Sequence, residues 1–287
     1  MDSIETDDFW NDSSKNETRY SKLIEHSIFP PWTLLRESWK EDPKLLLPRM
    51  IYISIRTGRR IPRAVLMSPG EKRDDYVYET LYRWAKRVCR LGQVRLEIIG
   101  KENIDPEKTY LFAVNHMSPM DIPAIYAAMP CRAAFVANSI FNAIPIFRYW
   151  MKKSGAVFVN QEKPEEQMKA FKIMIKQLKK GRSLILFPEG YIHQGEGMAE
   201  LKRGGLHAAV FANVPIIPTC VYGTQHVMRA GSLHVTPRTR VVVEFAKPID
   251  PASLPRSERK DIERIVAQEL KAMKARHFSD WHGSRRR

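Results

Sequence analysis

Cysteine is scarce in this chain, and long apolar runs are missing from it. Cys89, Cys131 and Cys220 are odd in number and far apart, with neither a metal-ligand spacing nor a redox pair. That excludes a disulfide scaffold and points to a reducing, cytosol-facing compartment. No uninterrupted apolar stretch approaches the roughly 18 residues a spanning helix needs, since the best ones are broken by Arg, Lys or Pro. No bilayer crossing is expected. The first residues are acidic (Asp2, Glu5, Asp7, Asp8, Asp12) and lack the positive-then-apolar order of a secretory signal. They read as a poorly ordered tail. Internal repeats and low-complexity segments are absent. His193, His207, His226 and His234 show no ligand spacing with carboxylates or cysteines, so neither a metal nor a resident cofactor is expected.

Acidic residues are also in deficit, 32 against 47 Lys and Arg, for a formal charge of +15. Such a field attracts anionic partners, among them phosphate-bearing lipids, coenzyme A and acidic carrier proteins. Nucleic acid is set aside, because no recognition motif is present and the charge is spread over several helices. With 287 residues and 44% hydrophobic content, the chain can bury a full core without staples.

Two regions are expected, 1–92 and 93–287. Between residues 30 and 62, Trp32, Trp39, Leu45 and Ile51 mix with Arg36, Lys40, Arg56, Arg59 and Arg60, which suits a membrane interface. Over 76–91, Val77, Leu81, Trp84, Ala85, Val88 and Leu91 share one helical face, and Arg83, Lys86, Arg87 and Arg90 another. This basic amphipathic helix can serve a membrane surface or pack on the domain core, and the two are compatible.

Beyond Gly92 the texture changes. Strand-like runs at 94–99, 110–114, 133–137, 156–159, 184–187, 216–222 and 241–245 alternate with helical patterns at 122–128, 165–180, 205–213 and 257–276. The fold class is therefore α/β, a mostly parallel sheet flanked by helices, preceded by a helical, membrane-associating N-terminal region.

The segment Asn115-His116-Met117-Ser118-Pro119-Met120-Asp121 leaves a strand and enters a helix, where open sheets present ligand-binding groups. Ser118 fits an N-cap, Pro119 the first helical position and Asp121 the third. A carboxylate there can reach one imidazole nitrogen of His116 and leave the other to accept a proton. A capping aspartate beside a structural histidine would look the same. Phe187-Pro188-Glu189-Gly190 follows the apolar strand Leu184-Ile185-Leu186 and should emerge at the same sheet edge.

Together with Gly155-Ala156-Val157-Phe158-Val159 and Val214-Pro215-Ile216-Ile217-Pro218, these segments resemble the glycerolipid acyltransferase family, whose best-known members acylate glycerol-3-phosphate or lysophosphatidate. The resemblance covers roughly residues 94–246. It implies an O-acyltransferase with His116 as general base and Asp121 as its orienter. It also implies an acyl-CoA or acyl-carrier-protein thioester as co-substrate, and peripheral work at the cytoplasmic face of a membrane. Asn115, Ser118, Phe187, Pro188, Glu189 and Gly190, with Lys202 and Arg203, are expected to contact substrate. Oligomeric state is left open.

Three positions depart from the family. Asn138 follows Phe135-Val136-Ala137 where a lysine is usual, Asn160-Gln161 replace an arginine after Val159, and Tyr191-Ile192 replace Thr-Arg, with His193 next. Gln supplies neither the charge nor the fork of Arg. Arg132, Arg148, Lys152, Lys163, Lys202 and Arg203 are the candidate replacements. The departures admit two other readings: an acceptor without a phosphate monoester, or an acyl-binding module that has lost catalysis. Intact His116, Asp121 and Glu189 oppose the second.

Overall fold

Strands that are apolar on both sides require helices on both sides, and the chain supplies them. The structure, a computed structural model, describes residues 46–193, 197–202, 204–232 and 234–284. The acidic tail, residues 30–45 of the mixed basic stretch, Arg203 and the terminal arginines lie outside the described residues.

Seven strands form one sheet: β1 (Arg95–Ile99), β2 (Leu111–Val114), β3 (Ala133–Asn138), β4 (Val157–Val159), β5 (Ser183–Leu186), β6 (Ile216–Tyr222) and β7 (Arg240–Phe245). Their order is β1-β7-β6-β2-β5-β3-β4. Every neighbouring pair is parallel except β6 with β7, so β1 and β7 run against the other five. All seven lie within one residue of their expected ends.

The pleat sends alternate side chains to two cores. Phe112, Phe135, Ile185 and Val243 meet α1 (Leu46–Thr57), α3 (Glu71–Leu91), α4 (Asp121–Ala128) and α5 (Pro145–Ser154) on one face. Leu111, Leu184, Leu186 and Ile216 meet α6 (Pro164–Lys179), α7 (His207–Ala212) and α10 (Ile262–Ser284) on the other. Three short helices, α2 (Ile61–Leu66), α8 (Thr224–Val227) and α9 (Arg256–Lys260), complete the described α-helices.

The amphipathic helix expected at 76–91 begins earlier, at Glu71, and its apolar face belongs to the core: Val77, Leu81, Ala85 and Val88 are buried in the cluster that holds Phe112. Its basic face, with Arg83, Lys86, Arg87 and Arg90, is exposed. The boundary at residue 92 thus marks the start of the sheet, while the core is continuous across it.

Three helical expectations are corrected. α5 was not anticipated, because aromatic and β-branched residues in Pro145–Ser154 mask it; Pro145 at its first turn and left-handed Gly155 at its end are the signals. The run at 205–213 shortens to α7, ended by Asn213 at φ 55°. The run at 257–276 breaks at Asp261 into α9 and the longer α10.

Gly223 ends β6 at φ +97°, and a Cβ there would lie 2.2 Å from the Arg240 carbonyl oxygen of β7. Gly197 has open space around it. Gly223→Ala should therefore lower stability by about 2–4 kcal/mol in urea titration, and Gly197→Ala should stay within about 0.5 kcal/mol of the parent.

Candidate active site

Parallel pairing of β2 with β5 sets Leu111 opposite Leu184 and Ala113 opposite Leu186. Extended past both strand ends, the same offset sets residue 116 beside residue 189. The His116 backbone N–H donates to Glu189 Oε1 at 2.9 Å, and Glu189 Oε2 accepts from the Ala199 N–H at 2.9 Å. Glu189 is 1% exposed. It clamps the loop after β2 to the loop after β5 and to the segment around residue 199. The expected shared edge is present.

Asp121 is fully buried, at 0% exposure. Its Oδ2 lies 2.8 Å from His116 Nδ1 and accepts from the backbone N–H groups of Met117 at 2.7 Å and Ser118 at 2.9 Å. Its Oδ1 accepts from the Thr224 hydroxyl at 2.5 Å. These donors compensate burial of a carboxylate that would otherwise be costly. The helix starts at Asp121 rather than at the expected Ser118 cap, and the carboxylate reaches back over the preceding turn.

Phe187 fixes the imidazole plane. Its ring stacks on His116 with centroids 4.0 Å apart and planes 18° apart, and Phe135 stacks behind it at 5.8 Å. The His193 N–H donates to the His116 carbonyl at 2.8 Å, so the segment after Gly190 also closes on the histidine. With Nδ1 engaged by Asp121 and the side chain 12% exposed, Nε2 is the nitrogen left for a reactant.

Two residues expected to contact substrate are engaged by the protein itself. Asn115 is buried and bridges β2 to β6, giving its Nδ2 to the Val221 carbonyl at 2.9 Å and accepting the Val221 N–H at 2.8 Å. Ser118 is buried, donating to the Met228 carbonyl at 2.6 Å and accepting from the Met120 N–H at 3.1 Å. Both side chains complete backbone pairing and position the turn.

Pro188 is buried, and its carbonyl accepts the Lys202 N–H at 2.8 Å. Gly190 takes φ +76°, and a Cβ would come within 2.7 Å of the Lys202 side chain. Lys202 Nζ donates to Gln161 Oε1 at 2.5 Å, and Gln161 Nε2 donates to the Gly190 carbonyl at 2.9 Å. A cation held by a neutral amide thus stands beside Glu189-Gly190. Of the other candidate cations, Arg132 pairs with Glu71 and Asp75 at the start of β3, the opposite edge of the sheet, and Lys163 pairs with Glu166. Asn138 and Asn160 cap local turns, accepting from the Ile140 and Glu162 N–H groups at 3.0 Å each.

Sequence reasoning missed Thr224 and Lys274. Thr224 meets Asp121 only because β6 lies beside β2, and no local signal announces it. Lys274, 4% exposed on α10, donates its ammonium to the Gly197 carbonyl. Burial lowers its pKa from the lysine range, while the charges of Glu189, Cys220 and Asp121 act in the opposite direction. The signal was a lysine four residues after Leu270 on the apolar stripe formed by Ile262, Val266 and Leu270. Burial also raises the thiol pKa values, to about 11 at Cys131 and about 12 at Cys89. These thiols are therefore poor nucleophiles near neutrality.

The sequence model of the Acyltransferase family matches residues 95–222, which include His116, Asp121 and Glu189. The crystal structure of the 1-acyl-sn-glycerophosphate (LPA) acyltransferase PlsC from Thermotoga maritima superposes with a TM-score of 0.68 and 28% sequence identity, covering 81% of this chain and 95% of that one. Over the residues that carry His116, Asp121 and Glu189, the chain is similar to acyltransferases. The 1-acyl-sn-glycerol-3-phosphate acyltransferase of Escherichia coli (strain K12) is 27% identical over 167 residues, 57% of this chain and 66% of that protein. The enzyme of that name from Saccharomyces cerevisiae is 26% identical over 183 residues, 61% of this chain and 60% of that protein. The match therefore spans less than two thirds of either curated relative.

Asp121→Ala would strand the Met117 and Ser118 amides, the Thr224 hydroxyl and the His116 ring. Asn can keep its oxygen toward the amides and turn its NH₂ to the Thr224 hydroxyl, which then accepts. Chemical denaturation should show a loss of about 3–5 kcal/mol for Asp121→Ala and about 1–2 kcal/mol for Asp121→Asn. Equal losses would contradict this assignment of partners.

Proposed function

We propose that this protein is an O-acyltransferase. It moves a fatty acyl group from an acyl-CoA or acyl-carrier-protein thioester to the hydroxyl of a lysophospholipid-like acceptor. It works peripherally at the cytoplasmic face of a membrane. The observation that carries this reading is the imidazole of His116, held through Nδ1 by buried Asp121 at 2.8 Å and stacked on Phe187.

An alcohol is too weakly acidic to attack a thioester unaided. In the proposed step His116 Nε2 takes the hydroxyl proton as the oxygen bonds to the thioester carbon. The tetrahedral intermediate then collapses, the carbon–sulfur bond breaks, and the leaving thiolate takes the proton from the imidazolium. The products are an ester and a free thiol, and the histidine returns to its starting state. Asp121 stabilises the imidazolium and keeps Nε2 unprotonated beforehand. The raised thiol pKa values and the enclosed Ser118 hydroxyl favour direct transfer over an acyl-enzyme.

A second reading concerns the acceptor. Asn138, Asn160 and Gln161 stand where phosphate-binding cations are usual in the family, and each already serves a backbone partner. This favours a hydroxylated lipid without a phosphate monoester, with Lys202 beside its polar end.

His116→Ala should reduce thiol release from acyl-CoA in the presence of lipid acceptor by roughly 10²–10⁴-fold, with a smaller change in KM. Undiminished turnover would remove the general-base role. Lys202→Met separates the two acceptor readings. It should raise KM about tenfold or more for lysophosphatidate if the acceptor carries a phosphate monoester, and alter KM for a neutral monoacylglycerol by less than about threefold.

A further inference from the structure

Away from the histidine, α1, α2 and α3 meet in a seam rich in arginine. A cavity of about 380 Å³ there is lined by Ile53, Arg56, Thr57, Arg59, Arg60 and Arg87. Four of its six residues are arginines and none is acidic. A second cavity, about 670 Å³, continues from it, sharing Arg59 and Arg60 and adding Arg63, Lys72 and Arg83 together with Asp75 and Glu79. Guanidinium groups gathered around a concave surface without a carboxylate make a positive field that favours an anion. Phosphate oxygens match the guanidinium fork.

The neighbouring surface identifies the source of the phosphate. Tyr52 (57% exposed) and Ile55 (50%) stand on α1, and Val65 (57%) and Leu66 (86%) on α2. The side of α1 facing α3 is fixed by Met50, buried in the core, and by Ser54, whose hydroxyl accepts from Trp84 Nε1 at 3.0 Å. At 100° per residue, Tyr52 and Ile55 turn outward from that side, with the arginine cavity at the margin between. A basic cleft beside outward apolar side chains is the pattern of a helix lying in a bilayer interface. A soluble phosphate compound would use the arginines and leave the apolar row without a purpose.

The orientation links the cleft to the proposed chemistry. β1 follows α3 directly and runs antiparallel to β2. The C-terminal end of α3, one turn beyond Arg87, therefore reaches the sheet edge at which β2 delivers His116. We propose that the Arg56, Arg59, Arg60 and Arg87 cleft is a binding site for the phosphate of an anionic phospholipid within a bilayer, seated as Tyr52, Ile55, Val65 and Leu66 enter the interface. The inference extends the reading of a membrane-surface acyltransferase by naming the contact, and its test does not depend on turnover.

The test uses the full chain and vesicle co-sedimentation without substrate. Phosphatidylcholine vesicles are compared with vesicles that also contain phosphatidylglycerol. Arg56→Gln/Arg87→Gln, with one arginine from each wall, should weaken binding to the anionic vesicles by on the order of tenfold or more. The charge-matched pair Arg259→Gln/Lys260→Gln on α9 should weaken it by less than about threefold. Leu66→Ser should weaken binding to the same vesicles while leaving the arginines in place. His116→Ala should bind as the parent does, so loss of the catalytic reading would leave this result readable. Equal weakening by the two charge pairs, or none by the cleft pair, would overturn the site. Release of vesicle-bound protein by micromolar coenzyme A at constant ionic strength would overturn it too, by giving the cleft to the donor's phosphates.

Discussion

One buried carboxylate organises the candidate active site. Asp121 lies where water cannot reach it, and a carboxylate in such a place must be compensated by donors. Two backbone N–H groups, a threonine hydroxyl and an imidazole nitrogen meet that need. The same contacts that keep the carboxylate stable also dictate the path of the turn from Met117 to Met120 and the orientation of the His116 ring. Structure and chemistry are therefore not separable at this position.

The sheet makes that arrangement possible. Parallel pairing of β2 and β5 carries two loops to one edge in register, and the Glu189 carboxylate joins them through the His116 and Ala199 amides. Asn115 ties β2 to β6, which brings Thr224 within reach of Asp121. Lys274 enters from α10 and supports the segment at Gly197. These polar groups fasten one element to the next, while Nε2 of the His116 imidazole is engaged by none of them. Preorganisation of this kind reduces the reorganisation required as charge develops.

Much of the fold was legible because buried parallel strands need continuous β-branched and apolar runs, and those runs stand out between polar loops. The pairing of His116 with Asp121 was legible because both lie within one turn of a strand-to-helix junction. The backbone partners of Asn115 and Ser118 were not legible for a physical reason: a short polar side chain at a strand end suits a ligand or a neighbouring backbone equally well, and the position of β6 supplies the partner for Asn115. Thr224 is separated from Asp121 by 103 positions, and Lys274 lies on a helix whose inward face becomes clear only once α10 is docked. The reversal of β7 was equally hidden, since short strands read the same in either direction. Tertiary placement, rather than local preference, determines each of these.

The contact between Asp121 Oδ2 and His116 Nδ1 should decide which nitrogen of the neutral ring carries the proton. Nitrogen-15 NMR of the histidine rings in the intact protein, recorded with the His116 ring neutral, reads this directly. The expected result is a single neutral tautomer with the proton on Nδ1 and a bare Nε2. A proton on Nε2, or the tautomer averaging of an unrestrained histidine, would contradict it.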